Sequence, residues 1–151
     1  MPFVWGYMAT FLKNINMVSR SATQYCDEQL SKSSNLKGYH AKYLLSVCSN
    51  PGVSQDALAR ILFVNKSNVA RQLSVLEKGG YVERKQGDDK RVSLVYPTEK
   101  AFEIVSVIKG IYAQWREIIT RDFTDEEKAA LLTLTDKLYA NAVKYREEQV
   151  D

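Results

Sequence analysis

Histidine and cysteine are scarce in this chain: 151 residues hold one His and two Cys. Cys26 and Cys48 form no CxxC pair, and His40 has no histidine partner. The ligand spacing of a structural zinc site is therefore missing, and no metal or other cofactor is expected. The sequence also lacks a Gly-rich phosphate loop and a GxSxG elbow, which removes the common nucleotide-binding and hydrolase classes. Carboxylates are plentiful but fall on exposed helix faces and caps, so the chain reads as a non-enzyme. No apolar run approaches the ~18 residues of a membrane span. The opening MPFVWGYMATFLK is apolar, yet no cationic stretch precedes it and no small-residue cleavage site follows. A cytoplasmic protein with reduced thiols is the expectation, with no membrane partner.

Proline (3) and glycine (7) are also few, which leaves room for long helices. Met8, Leu12, Ile15, Ser19, Ala22, Cys26 and Leu30 recur at helical spacing and predict a first helix over 7–30. Phe11 and Val18 lie off that stripe, so this helix needs more than one neighbour. A second helix is predicted over 38–49, with His40, Leu44, Val47 and Cys48 on one side. Asn50-Pro51-Gly52 ends it. Ser54 is a candidate N-cap for a third helix, whose Leu58, Ile61 and Leu62 would be buried. Asn65 caps a fourth, in which Val69, Leu73 and Leu76 face inward, and Gly79-Gly80 supply a left-handed stop. YVERK and RVSLVY alternate around the turn QGDDK and predict a hairpin. Val92, Leu94 and Tyr96 fall on one side of its second strand, and Arg91, Ser93 and Val95 on the other. A long helix follows to about Asp122, striped by Ala101, Ile104, Ile108, Ile111, Trp115 and Ile118. The run TDEE from Thr124 is a capping box for the last, with Leu131, Leu134, Leu138, Ala142 and Tyr145 on one face.

Two short helices joined by a tight turn, then a hairpin, form a winged helix-turn-helix pattern. The expected fold is mainly α (α+β): one domain over 1–151, with a winged helix-turn-helix core at 36–97. Long N- and C-terminal dimerisation helices at 1–35 and 98–151 would flank it. The core is too small to cover so much apolar helix surface, which points to a twofold homodimer; a helical layer folded back on a monomer is the alternative.

Charge is concentrated. Between Asn65 and Arg91 lie seven basic residues against four acidic ones, while the rest of the chain balances at fourteen each. Such a local basic surface fits a polyanion partner, double-stranded DNA; a solvated helix face is the bland alternative. On the fourth helix Ser67, Asn68, Arg71 and Gln72 are of the types that read base edges in the major groove. Lys66 is placed for a phosphate. At the hairpin, Lys90 and Arg91 suit the backbone and minor groove. Asp89 is read as aiming Arg91 through a charge-assisted pair. Arg84 on the first strand completes the candidate DNA-binding set.

The run NKSNVARQLSVLEKGGYVERKQGDDKRVSLVYPTEKA resembles the winged-helix core of MarR-type bacterial transcription regulators. Leu76 through Gly79, then Tyr81, Val82, Glu83 and Arg84, carry the resemblance. So do Asp89-Lys90-Arg91 and the junction from Leu94 to Thr98. Ala101 departs where a glycine is common, and Pro97 where an aliphatic is usual. The resemblance implies dimerisation through the first and last two helices, with Arg91 entering the minor groove. It further implies a repressor acting on a pseudo-palindromic operator, released by a small phenolic or anionic aromatic effector. Tyr25, Tyr39, His40 and Tyr43 would lie near that effector's cleft, although tyrosines at helix junctions also serve as packing. Two alternatives stay open: oxidant sensing through Cys26, and a winged helix used for protein–protein contacts. No arginine or histidine adjoins Cys26 in sequence to lower its pKa.

Overall fold

The computed structural model describes residues 2–149. Along the chain these form α1 (Pro2–Leu30), α2 (His40–Ser49), β1 (Val53–Ser54), α3 (Gln55–Leu62) and α4 (Lys66–Lys78). The hairpin strands β2 (Val82–Gln86) and β3 (Ser93–Pro97) follow, then α5 (Glu99–Ile119) and α6 (Asp125–Glu148). The fold is mainly helical with a small antiparallel sheet, a winged helix-turn-helix flanked by long helices. Two compact units divide near Trp115. No helix among the described residues is long and apolar enough to cross a membrane.

The core of the first unit gathers apolar residues from every one of its helices. Cys26 and Leu30 of α1, Leu44 and Val47 of α2, and Leu58 of α3 are fully buried. Val69, Leu73 and Leu76 of α4, Val95 of β3, and Ala101 and Ile108 of α5 join them. Each buried aliphatic of valine size or larger stabilises by about 1.5–3 kcal/mol relative to exposure. Ile61, expected inside, is instead 41% exposed; α3 is only eight residues long and turns Leu58 and Ala59 inward. The long stripe predicted for α1 also divides. Its C-terminal end is buried, whereas Met8, Leu12 and Ile15 are exposed.

Helix ends are set by local chemistry. The Ala57 N–H donates to Ser54 Oγ (3.1 Å) and the Asn68 N–H to Asn65 Oδ1 (2.8 Å), each satisfying a donor free at a helix start. At the end of α4 the Tyr81 N–H reaches the Leu76 carbonyl (2.9 Å) and the Gly80 N–H the Glu77 carbonyl (3.0 Å), a Schellman arrangement. The left-handed residue there is Gly80 (φ +78°) alone, because Gly79 remains right-handed. The same arrangement ends α3, with Phe63 in the left-handed position (φ 54°).

The strand β1 has no counterpart in the sequence expectation. It is two residues long, too short for alternation to register, and pairs Val53 with Val95 and Ser54 with Leu94. β3 is thus the central strand. The hairpin runs from Val82 opposite Pro97 to Gln86 opposite Ser93, with Arg84 opposite Val95. Cross-strand partners share a face, so Arg84 lies on the face that buries Val82 and Val95.

In the second unit, α6 opens with the expected capping box: the Glu127 N–H donates to Thr124 Oγ1 (3.2 Å) and the Thr124 N–H to Glu127 Oε2 (2.9 Å). No residue of α6 is buried, and Leu131, Leu134, Leu138 and Tyr145 are all exposed.

Candidate nucleic-acid interface

The start of α4 is an exposed polar surface on a packed helix. Val69, Leu73 and Leu76 anchor it to the core. That leaves Lys66, Ser67 and Arg71 in solvent and Asn68 and Gln72 half-buried. Asn65 Oδ1 accepts both the Asn68 N–H and the Ser67 hydroxyl (2.9 Å), which fixes the first turn. Lys66 Nζ lies 2.8 Å from Asp56 Oδ2 with both side chains exposed, a pair that a phosphate can displace at little cost. Arg71 has no carboxylate partner among the described residues.

At the hairpin tip, Arg91 is almost wholly exposed, with 90% of its side chain in solvent. Asp89 holds it from one side: Nε lies 3.3 Å from Oδ1 and Nη2 3.3 Å from Oδ2, and the Arg91 backbone N–H donates to Oδ1 (3.0 Å). These bonds, the backbone one foremost, hold the Asp89 carboxyl below its ordinary pKa. Lys90 is exposed beside it.

Arg84 is arranged differently from the others in the predicted set. Its guanidinium donates to Glu77 Oε2 (2.7 and 3.1 Å), Ser74 Oγ (3.0 Å) and Gln55 Oε1 (3.3 Å), and its backbone N–H to Glu77 Oε1 (3.2 Å). One side chain thus ties the hairpin to α3 and α4. Glu77, Ser74 and Gln55 were not singled out from the sequence. The signal was the strand register, which turns Arg84 to the helix side with Val82.

Comparison with known proteins shows which family this winged helix belongs to. Residues 34–92 match the MarR family. A MarR protein from Peptoclostridium difficile DA00132 is 30% identical and superposes with a TM-score of 0.81, covering 89% of this chain and 88% of that one. The chain belongs to the MarR family. A MarR-family neighbour from Listeria monocytogenes, solved with a 26mer DNA, is 25% identical with a TM-score of 0.79, over 88% of this chain and 89% of that one. The uncharacterised HTH-type transcriptional regulator YybA of Bacillus subtilis is 24% identical over 89% of each chain. This MarR-family chain is accordingly a transcription regulator, and its winged helix-turn-helix is a DNA-binding unit.

The predicted effector residues of this MarR-family protein do not form one site. Tyr25 packs on Trp115 (ring centroids 5.3 Å apart) and its hydroxyl donates to Gln114 Oε1 (3.3 Å). Tyr43 is buried, its hydroxyl without a hydrogen-bond partner among the described residues. His40 is buried beneath Tyr39 (ring centroids 4.5 Å apart). Tyr39 lines an open groove of about 560 Å³, shared with Arg20, Thr23, Gln24, Asp27 and Lys37. Gly38 closes the groove's end against α1. Its N–H donates to Asp27 Oδ1 (3.0 Å), and a Cβ there would run into the Thr23 carbonyl.

Neither cysteine has the environment of a reactive thiol. Cys26 is fully buried, and burial, reinforced by Asp27, pushes its pKa up. Its neighbour Tyr112 is pushed up to about 12, chiefly by burial. Cys48 is half-buried and also raised by burial. A thiolate is the oxidisable form, and both sites disfavour it.

Proposed function

We propose that this protein is a cytoplasmic homodimeric repressor that binds a pseudo-palindromic operator and leaves it when a small anionic aromatic compound binds. The observation that carries this reading is the pairing of two exposed cationic elements on one rigid scaffold: the start of α4 and the tip of the β2–β3 hairpin. The first suits the major groove, through Ser67, Asn68 and Arg71, with Lys66 on a phosphate. The second suits an adjacent minor groove, through Arg91 aimed by Asp89, with Lys90 beside it. The Listeria relative solved with DNA supports the same partner here.

Two copies are favoured by apolar surface that the monomer leaves open. Leu12, Ile15 and Val18 of α1 are exposed, as are Leu131, Leu134 and Leu138 of α6. Such faces on helices this long are the mark of an association surface. Residues 36–97 then act as the DNA-binding core, and 1–35 with 98–151 as the dimerisation region. A twofold dimer sets two half-sites about one helical turn apart. The groove at Arg20, Lys37 and Tyr39 combines two cations with one aromatic ring, which suits an aromatic acid. The buried, raised thiols favour this over oxidant sensing by Cys26.

The test is selection of bound sites from random duplex DNA, repeated with a panel of aromatic acids and with peroxide, alongside sedimentation of the free protein. A recovered palindrome, a dimer in sedimentation and release by an aromatic acid are expected. Salt-sensitive binding without any recovered sequence would mean that the winged helix serves another purpose.

A further inference from the structure

A chain of hydrogen bonds runs from the buried side of α2 to the exposed start of α4. His40 is the sole histidine of the protein and is 3% exposed. Its Nδ1 accepts the backbone N–H of Lys37 (3.0 Å). A nitrogen that accepts carries no proton, so in the neutral ring the proton sits on Nε2. Burial holds the imidazole pKa below its ordinary value and keeps the ring neutral. Nε2 faces the Gln72 side chain at 3.2 Å and can only donate there. The Gln72 atom that receives it is therefore the amide oxygen. This turns the Gln72 amino group toward Asn68, whose Oδ1 is 3.5 Å away.

The direction of each bond follows from the one before it, and the last fixes the orientation of Asn68. Its oxygen is engaged by Gln72, and its backbone N–H is already satisfied by Asn65. The Asn68 amino group is the part left for a base. A free asparagine reads adenine by giving one bond and taking one. An asparagine whose oxygen already accepts from behind keeps one acceptor lone pair but turns its amino group forward, so it gives more readily than it takes.

We propose that His40 is a positioning residue for base recognition: through Gln72 it holds Asn68 with its amino group forward, so that α4 selects a hydrogen-bond acceptor in the major groove. Guanine N7 and O6, adenine N7 and thymine O4 satisfy it, whereas the cytosine edge offers the N4 donor and is disfavoured. This rests on the reading of α4 as the recognition helix, and the experiment separates the two.

With one histidine in the chain, long-range nitrogen–proton NMR of the full-length protein reads its tautomer without assignment. The Nε2–H form is expected at neutral pH, and the Nδ1–H form would overturn the proposal. Base preference is then measured by site selection for wild type, Asn68→Ala, His40→Asn and His40→Gln. Asparagine at 40 keeps an acceptor for Lys37 but is too short to reach Gln72; glutamine keeps the donor at the Nε2 end. Asn68→Ala is expected to flatten one position of the half-site. His40→Asn should lose about fivefold discrimination against cytosine at that same position, the low end for one base contact. The salt slope, which counts phosphate contacts, should stay unchanged, and His40→Gln should restore the preference. Gln72→Met breaks the relay without altering the buried ring and is expected to match His40→Asn, so it decides the matter if that variant does not fold. Full preference retained in the relay variants, with Asn68→Ala still flattening a position, overturns the proposal alone. No effect of Asn68→Ala overturns the reading of α4, and the proposal with it.

Discussion

The two ends of the hairpin carry the same chemistry and use it differently. Near the base, Arg84 pairs with Glu77 across seven residues of chain, while at the tip Arg91 pairs with Asp89 two residues away. The Arg84 side chain is 25% exposed and meets three side chains from two helices. The Arg91 side chain is 90% exposed, and the one side chain it bonds is Asp89. A guanidinium tied by four bonds to three side chains is a strut, because any new partner must first displace several charge-assisted bonds. A guanidinium held along one edge keeps its other donors free at little desolvation cost. The hairpin thus has a fixed root and an available tip, and the root decides where the tip can reach.

The sharpest way to break this contrast is at the root. Arg84→Ala removes four side-chain bonds and leaves Glu77 without its partner. A loss of about 2 kcal/mol is expected from charged hydrogen bonds of this kind. Thermal unfolding should show it as a fall of about 4–8 °C for a chain this size. Unchanged melting would mean that solvent replaces the network freely and that Arg84 is available to DNA after all. At the tip the prediction reverses. Arg91→Ala should leave the melting temperature unchanged and weaken operator binding about tenfold, toward the lower end of the range for one specific arginine contact, as read by fluorescence anisotropy. A variant that melts early or binds normally would erase the distinction. A smaller effect tests the aim of Arg91. Asp89→Asn keeps an acceptor for the backbone N–H but loses the charge. About a threefold loss of affinity is expected, less than for Arg91→Ala. A gain would show that Asp89 only repels phosphate.

How much of this was legible in the sequence follows the same division. The tip could be read because its partners are local: Asp89 and Arg91 are two residues apart, and a turn places them together. Helix caps at Ser54, Asn65 and Thr124 were legible for the same reason, each acting within three residues. The root could not be read, since Gln55, Ser74 and Glu77 meet Arg84 only through strand register and helix packing. β1 escaped because two residues carry no period. In the sequence His40 reads as an effector residue and Gln72 as a DNA contact, and their 3.2 Å contact joins residues 32 positions apart. The family resemblance puts Tyr25, Tyr39 and Tyr43 near one implied cleft, whereas helical geometry sends them to three environments.

Acid offers the finest comparison of root and tip. Both carboxyls are held below their ordinary values: Glu77 mainly by the Arg84 side-chain bonds, and Asp89 mainly by the Arg91 backbone N–H. A carboxylate with a depressed folded pKa binds fewer protons folded than unfolded. Its stabilisation is complete above the unfolded value, about 4.3 for Glu and 3.9 for Asp. It is lost as pH falls through the folded one. The linkage takes the same sign at both sites, but what protonation releases differs. At Glu77 it loosens a contact that binds strand to helix; at Asp89 it frees a side chain already in solvent. The melting temperature of wild type should therefore fall between pH 6 and pH 3, and part of that fall should be missing in Glu77→Gln. Asp89→Asn should follow the wild-type curve more closely. Equal flattening by the two substitutions would mean that the tip is coupled to the fold as firmly as the root, and that Arg91 is a second strut.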